Sequence, residues 1–186
     1  VPNKRILRAV LDYKERKSKN TALHYAAQNG NLFIVKYLVE KGANINMQSL
    51  GSFTPLHTAA ARDRTNVAIY LVKKSAQINI IQSSGCATGY TAFYWALEND
   101  NYELAKLMLK KGAIIDAGGY NALGIVTDFK IAKLMIDKYN ARPNKTVFKI
   151  FKSKLKAYRK SKGSYLYTQL EKIYAYIQKY KTNRDD

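Results

Sequence analysis

Apolar residues recur along the chain at helical spacing, in short segments separated by polar residues. Ile34, Val35 and Leu38 stand at positions i, i+1 and i+4, which places them on one stripe of a helix. The alanine pairs at 26–27 and 59–60 are small enough to let neighbouring helices approach closely. The pattern therefore predicts short helices that pack against one another.

The pattern repeats with a nearly constant period. The segment TPLHTAA at residues 54–60 has a counterpart, TALHYAA, 33 positions earlier, and another, TAFYWAL, 37 positions later. Each is followed by an apolar helical segment, and a degenerate fourth copy covers residues 121–138. Repetition at this period predicts stacked helix–turn–helix units over residues 18–140, because such units bury their apolar faces only against each other.

Individual residues mark where these helices begin and end. Thr21 and Thr54 offer a side-chain oxygen to an early backbone N–H, and Pro55 suits a first helical turn. Gly42 and Gly112 stand where a helix end requires a positive φ. Ser75 takes that place in the second unit, which makes its helix end an exception.

These motifs resemble the ankyrin repeat. The resemblance implies an all-α ankyrin-repeat solenoid, in which helix–turn–helix units are joined by hairpin finger loops and flanked by helices. It places repeats at about 18–48, 49–81, 82–116 and 117–141. The residue pattern outside the repeats predicts a capping helix at 1–17 and a basic, tyrosine-rich helical region at 142–186. The short fourth copy is typical of a capping or transition unit.

In this family the histidine of the motif ties the preceding turn to the first helix by hydrogen bonds, so the resemblance implies a structural role for His24 and His57. A metal site is the weaker alternative, since the two histidines lie in separate repeats without cysteine or carboxylate partners at ligand spacing.

The resemblance also implies where a partner protein binds, because partners of this family usually lie along the fingers and the first helices. Carried over by position, the predicted partner-binding residues are Asn20, Gln28, Asn29, Leu50, Phe53, Ala61, Arg62, Tyr90, Glu98 and Asn99. Phe53 and Tyr90 precede equivalent threonines, and they either anchor a partner or pack on the neighbouring finger. The long loop at 80–89, which contains Cys86, is either a recognition finger or a tolerated insertion.

The flanking segments have helical patterns of their own. Residues 3–17 are predicted to form a helix with Ile6, Leu7, Val10 and Leu11 on one side. Residues 144–162 form a second, with Val147, Ile150, Phe151, Leu155 and Tyr158 inward. After a break at 161–164, Ser164 begins a third, whose stripe is Leu166, Leu170, Ile173 and Ile177.

Charge is concentrated in these flanks. The net charge of the whole chain is +19. It divides into +5 for residues 1–20, +4 for 21–141 and +10 for 142–186. The basic tail is a lysine-rich cap, a contact for phosphates of nucleic acid or an anionic membrane, or a dock for an acidic protein. The candidate anion-binding residues are Lys149, Lys152, Lys156, Arg159, Lys160 and Lys162.

No catalytic set, phosphate loop or cofactor motif is evident, so we expect a non-enzymatic protein-interaction module that needs no metal or cofactor. The alternative is an adaptor for nucleic acid or anionic membranes. A single cysteine fits a reducing, intracellular compartment, and a monomer is favoured. The lysine, asparagine, isoleucine and tyrosine bias suggests an AT-rich genome and an effector of an intracellular bacterium, or a poxvirus-like or protist protein, acting in the host cytosol or nucleus. The chain begins at Val1, which leaves open a longer protein with a catalytic domain elsewhere.

Overall fold

The computed structural model describes residues 4–83 and 89–180, and short helices account for most of them. The helices are α1 Lys4–Leu11, α2 Ala22–Asn29, α3 Leu32–Glu40, α4 Pro55–Ala61, α5 Thr65–Lys73, α6 Ala92–Glu98, α7 Tyr102–Lys110, α8 Phe129–Asp137, α9 Lys145–Ala157 and α10 Tyr165–Gln178. Strands β1 Asp116–Ala117 and β2 Tyr120–Asn121 pair antiparallel. Single 3₁₀ turns occupy Leu50–Ser52, Ala122–Gly124 and Arg159–Ser161. The predicted all-α fold is confirmed.

The chain divides into two compact units, residues 1–114 and 115–186. In the first unit, helices α2, α4 and α6 contact one another in a row, and α3, α5 and α7 form a second layer against them. We call these the inner and outer helices. Leu23, Leu56 and Phe93 occupy the same position in successive inner helices and are fully buried. The buried alanines beside them allow the close approach that the sequence predicted.

The expected helix boundaries are present. The Thr54 side chain accepts a hydrogen bond from the His57 N–H at 3.3 Å, and Pro55 is the first helical residue of α4. Gly42 and Gly112 have φ of 94° and 87°, and Ser75 takes the same left-handed conformation with φ of 62°. The second repeat therefore keeps the usual helix end in spite of its serine, at the cost of an unfavourable φ for a residue with a Cβ.

A ladder of side-chain hydrogen bonds joins successive repeats and was not predicted. The amides of Asn46 and Asn79 accept from the N–H groups of Gln77 and Ile114 at 2.8 and 2.9 Å. The carboxylate of Asp12 accepts from the N–H of Asn44 at 2.8 Å in the same manner. The signal was present, because Asn46 and Asn79 are 33 residues apart.

The N-terminal helix is shorter than predicted. It ends at Leu11 and not at residue 17, because the Asp12 side chain turns to the first finger and Glu15 accepts from the N–H groups of Lys17 and Ser18. The residues of its predicted apolar side also differ in how far they are buried. Leu7 and Leu11 are half-buried, whereas Ile6 and Val10 are 63% and 67% exposed.

In the second unit the fourth copy lies with the C-terminal helices. A single 3₁₀ turn at Ala122–Gly124 stands in place of a first helix, and α8 follows it. Helix α10 packs against both α8 and α9. Its predicted stripe supplies the core through Leu170, Ile173 and Ile177, and Ser164 caps it as expected.

Two expectations about α9 were wrong. The helix ends at Ala157, so Tyr158 is 42% exposed rather than inward. Lys154 of the same helix is half-buried and donates to the carbonyl oxygen of Gly124 at 3.2 Å. Val147 and Phe151 are buried as predicted, with Ile150 and Leu155 half-buried beside them.

Candidate functional site

Two buried histidines hold the finger loops to the inner helices. The Nδ1 atom of His24 accepts from the Thr21 N–H at 3.1 Å, which leaves the ring proton on Nε2. Nε2 then donates to the carbonyl oxygen of Phe53 at 3.0 Å. His57 repeats this arrangement with Thr54 and the carbonyl oxygen of Ile80. Each histidine thus fixes the finger of the following repeat. The sequence did not predict that this contact extends beyond the histidine's own repeat.

Both imidazoles are held neutral. Burial lowers the pKa of His24 and lowers the pKa of His57 to about 4. A neutral ring that is saturated on both nitrogens has no lone pair left for a metal and no free proton acceptor for catalysis. The structural role implied by the family resemblance fits these contacts.

The finger at residues 49–53 is fixed from three sides. The Ser49 N–H donates to the Phe53 carbonyl oxygen at 2.8 Å, and the Leu50 N–H donates to the Ser18 carbonyl oxygen at 2.9 Å. At the tip, the hydroxyls of Ser52 and Ser83 lie 2.9 Å apart. These bonds make the finger a preformed wall, on which Leu50 remains 66% exposed.

A groove of about 310 Å³ opens between this finger and the inner helices α2 and α4. We call it the finger groove. Six of the predicted partner residues line it together with three hydroxyl residues: Asn20, Gln28, Leu50, Phe53, Ala61, Arg62, Ser18, Ser49 and Thr58. The structure therefore brings together residues that are up to 44 positions apart in the chain, from Ser18 to Arg62.

The finger groove combines an apolar side, polar hydrogen-bonding groups and one cation. The half-buried Phe53 ring packs edge-on against His57, with ring centroids 6.3 Å apart, so part of Phe53 is structural. Arg62 is exposed, and its guanidinium has no carboxylate within ion-pair distance among residues 4–83 and 89–180. Arg64, by contrast, is held by the Gln28 carbonyl oxygen at 3.0 Å.

Some of the corresponding residues of the third repeat make contacts within the protein itself. Tyr90 stacks on Tyr94 with ring centroids 3.9 Å apart. The Asn99 amide donates to the carbonyl oxygen of Ala60 at 2.9 Å, which ties α6 to the preceding repeat. Glu98 is exposed. Tyr90 thus packs on α6 of its own repeat, and Asn99 has a structural contact.

Two predicted features lie away from the finger groove. Asn29 is exposed and lines a separate cleft with Asp63 and Arg64. The inserted segment around Cys86 falls at residues 84–88, outside the described residues, so its predicted role as a recognition finger is untested.

The candidate anion-binding residues are exposed in the second unit. Lys145, Lys149, Lys152 and Lys156 lie at positions i, i+4, i+7 and i+11 of α9 and so form one stripe along the helix. Arg159, Lys160 and Lys162 continue beyond the helix end and are also exposed. Helix α9 contains no acidic residue.

Among the described residues, no three His, Cys, Asp or Glu side chains are grouped as metal ligands would be. In that same part of the chain, no helix combines the length and the apolar character needed to cross a bilayer.

Comparison with known proteins agrees with the geometry. A family model described as ankyrin repeats, in three copies, matches residues 3–82, and an ankyrin repeat model matches residues 88–117. An ankyrin repeat protein of fowlpox virus (strain NVSL) is 37% identical over 135 residues, which cover 70% of this chain. The matched region spans 28% of the length of that relative.

Proposed function

This chain belongs to the ankyrin-repeat family, and on that premise we propose that it captures a partner protein in the finger groove. Ankyrin repeats are generally protein-interaction modules. The observation that carries the proposal is the convergence of Asn20, Gln28, Leu50, Phe53 and Arg62 on one preformed groove. No catalytic role is assigned to these residues.

The groove chemistry indicates what part of a partner it accepts. Leu50 is an exposed apolar contact, and a partner that covers it removes its apolar surface from water. Arg62 offers a planar set of donors to a carboxylate. The side chains of Asn20, Gln28 and Thr58 also line the groove and offer hydrogen-bonding groups to a partner. A segment with one apolar side chain and one acidic side chain is complementary to this surface.

Binding follows mass action on a surface that is already formed. The finger backbone is hydrogen-bonded to the loop at Ser18 and to the inner helix through His24. Little ordering entropy is therefore lost on association, and the partner meets a backbone that moves little.

The test is capture from nuclease-treated eukaryotic lysate at moderate salt, with partners identified by mass spectrometry. The bait is compared with the double variant Leu50→Glu/Arg62→Glu, which reverses the apolar and cationic features of the groove. These exposed positions are better probes than Phe53 and Tyr90, whose rings also pack within the fold. The proposal predicts a stoichiometric partner that the variant loses.

The matched control is Phe33→Glu/Lys36→Glu, which makes the same two changes on the exposed outer helix α3. It should retain the partner. Loss of the partner in the control and retention in the groove variant would place binding on the outer helices and contradict the proposal.

A second candidate function rests on the α9 stripe. Four exposed lysines at one-turn spacing, without a carboxylate on the helix, favour an adaptor that contacts phosphate groups. No large apolar side chain interrupts this stripe, which favours a nucleic-acid backbone over insertion into an anionic membrane. Such binding would be weakly selective for sequence, since no base-reading motif accompanies the lysines.

The salt dependence of binding distinguishes the two candidate functions. Binding of single-stranded nucleic acid by four to seven phosphate contacts should weaken by orders of magnitude between low and moderate salt, whereas partner capture in the finger groove should change far less. Lys149→Gln/Lys152→Gln/Lys156→Gln should reduce nucleic-acid binding and leave partner capture intact.

A more specific version of this proposal is that the chain acts on a protein of a host cell. The reported relative is viral, and the composition bias suggested poxvirus-like proteins beside bacterial effectors. In this form the partner is a host protein of the cytosol or nucleus. If these repeats are part of a longer chain, they recruit a substrate for it.

A further inference from the structure

The outer helices of the first unit form a surface that partner capture in the finger groove does not use. Lys41, Lys74 and Lys111 each stand immediately before the left-handed residue that ends an outer helix, so they form a row across the three repeats. Packed helices lie about 10 Å apart, which sets the spacing of this row. The remaining basic residues of the outer helices are Lys36, Lys73, Lys106 and Lys110, all exposed.

The two helix layers differ sharply in charge. Residues 32–41, 65–74 and 102–111 contain seven lysines and two glutamates, Glu40 and Glu103. The inner helices α2, α4 and α6 contain Glu98 as their charged residue, and Arg62 follows α4. The net charge of +4 of the repeats is thus carried by the outer layer, with Asp63 and Asp100 at the opposite helix ends.

Large apolar side chains lie among these lysines. Phe33, Tyr37 and Ile34 on α3 are 79%, 53% and 43% exposed. The Lys41 ammonium lies 5.5 Å from the centre of the Tyr37 ring, and Lys36 lies 5.9 Å from the Tyr70 ring. Phe33, Ile34 and Tyr37 lie within about one turn of the same helix, and contiguous exposed apolar side chains rimmed by polar residues mark protein or membrane interaction sites.

A groove between α5 and α7 completes the surface. It has a volume of about 460 Å³ and an apolar floor of Ile69 and Leu107. Lys73, Lys106 and Lys110 line it, with Glu103 as the one acidic residue. Three ammonium groups around an apolar floor suit a phosphate or carboxylate that is attached to a hydrocarbon chain.

We propose that the outer helices dock on an anionic membrane surface, with Phe33 and Tyr37 entering the headgroup region and Lys73, Lys106 and Lys110 contacting lipid phosphates. Aromatic side chains favour the interface between hydrocarbon and water, and lysines near an anionic leaflet each add attraction. Docking by this layer would leave the finger groove free for a partner, so the chain would hold that partner at a membrane.

The combination of charge and apolar exposure favours lipid over the other polyanions. A nucleic-acid backbone would satisfy the lysines and leave Phe33, Ile34 and Tyr37 in water. The α9 stripe is the contrasting case, because its lysines are not accompanied by large exposed apolar side chains on the same stripe. An acidic protein segment is the remaining occupant, and the experiment distinguishes it.

The test is co-sedimentation of the full chain with vesicles of phosphatidylcholine alone and of phosphatidylcholine with phosphatidylserine. Binding is expected only to the second kind. Lys73→Gln/Lys106→Gln/Lys110→Gln should weaken it about a hundredfold, at about fivefold per lysine. Phe33→Ser/Tyr37→Ser should weaken it about tenfold, because the apolar contact is lost while the charge is kept.

The matched control is Lys149→Gln/Lys152→Gln/Lys156→Gln, which removes the same charge from α9. It should bind vesicles as the unchanged chain does. Equal weakening by both triple variants would show that net charge alone attracts the vesicle and would overturn the proposal. Sedimentation no greater than with phosphatidylcholine alone would also overturn it, and would leave an acidic protein as the occupant.

Insertion has its own spectroscopic signature. Trp95 is the one tryptophan of the chain, so Phe33→Trp in a Trp95→Phe background reports on position 33 alone. Its emission should shift to the blue on phosphatidylserine vesicles, and an unshifted emission would contradict insertion. Leu50→Glu/Arg62→Glu should leave vesicle binding unchanged, so failure here is distinguishable from failure of partner capture.

Discussion

The Nε2 atom of His24 donates a hydrogen bond to the carbonyl oxygen of Phe53 at 3.0 Å. His24 is buried in the first inner helix, and Phe53 closes the finger that forms one wall of the groove. One bond therefore belongs both to the packing of successive repeats and to the proposed binding surface. Stability and binding are expected to depend on the same contacts, and the equivalent bond from His57 to the Ile80 carbonyl oxygen allows the contribution of such a bond to stability to be measured.

Replacing His57 by alanine should destabilise the fold by about 3 kcal/mol. The change leaves the Ile80 carbonyl oxygen and the Thr54 N–H without their partner and opens a void beside Phe53. Urea denaturation followed by circular dichroism measures the loss. Lys73→Ala, on the exposed outer face, is the control and should change stability by less than about 0.5 kcal/mol. A loss as small for His57→Ala would show that the bond contributes little.

Stability should fall on mild acidification. Burial lowers the pKa of His57 to about 4 from its usual 6.5, so the unfolded chain binds the extra proton between these values and the folded chain does not. Stability therefore rises with pH across this window: it is complete above 6.5 and is lost as the pH falls toward 4, by about 3 kcal/mol. Burial lowers the pKa of His24 in the same direction.

The urea midpoint at about pH 7 and at about pH 5 gives the measurement. His57→Gln should be less stable at both values but should show a flatter pH dependence. Glu15 does not interfere, because hydrogen bonds from Lys17 and Ser18 lower its pKa to about 2, so its contribution is lost only at more acidic pH. An unchanged slope in His57→Gln would refute the assignment.

Asn79→Ala should cost about 2 kcal/mol. The Asn79 amide accepts from the Ile114 N–H and donates to the Gly112 carbonyl oxygen, both at 2.9 Å, and so joins the second and third repeats. Asn66→Ala is a matched control on an exposed helix position, where a change within about 0.5 kcal/mol is expected. Thermal or urea unfolding compares the two. Similar losses would mean that the ladder does not couple the repeats.

Tyr176→Phe should lower the stability of the second unit in urea unfolding. The Tyr176 hydroxyl donates to Asp137 at 2.5 Å, and Lys133 donates to the same hydroxyl at 3.3 Å, which ties α10 to α8. The ring keeps its edge contact with Phe129, so only the polar bond is removed. Tyr174→Phe, on the same helix, removes a hydroxyl outside this network and should have a smaller effect. Equal effects would argue against a role for the Asp137 contact.

Much of the fold could be predicted from the sequence because residues at the ends of each repeat's helices are themselves signals for where a helix begins or ends. Thr54, Pro55 and Gly42 are local signals, and they act where the sequence places them. Ser75 shows that the fold imposes a left-handed φ even where the residue does not favour it.

The wrong predictions concern two helix ends. Helix α1 stops at Leu11, where Asp12 bonds to the distant Asn44. Helix α9 stops at Ala157, which leaves Tyr158 outside the core. Helical periodicity contains no information about a partner 32 residues away.

The candidate site was predicted in part for the same reason. Family positions selected Asn20, Gln28, Leu50, Phe53 and Arg62, which line one groove in the structure, and their role in binding stays a prediction. They did not show that Asn99 is held by Ala60, nor that the outer lysines form a layer, because both depend on how successive repeats stack.

Photo-crosslinking of the captured partner tests the central claim most directly. Benzoylphenylalanine is placed by substitution of Leu50 in the finger groove and, in a separate variant, of Phe33 on the outer face; both positions are well exposed. The account predicts a crosslink to the partner from position 50 and none from position 33. A crosslink from position 33 alone would contradict the finger groove as the binding surface.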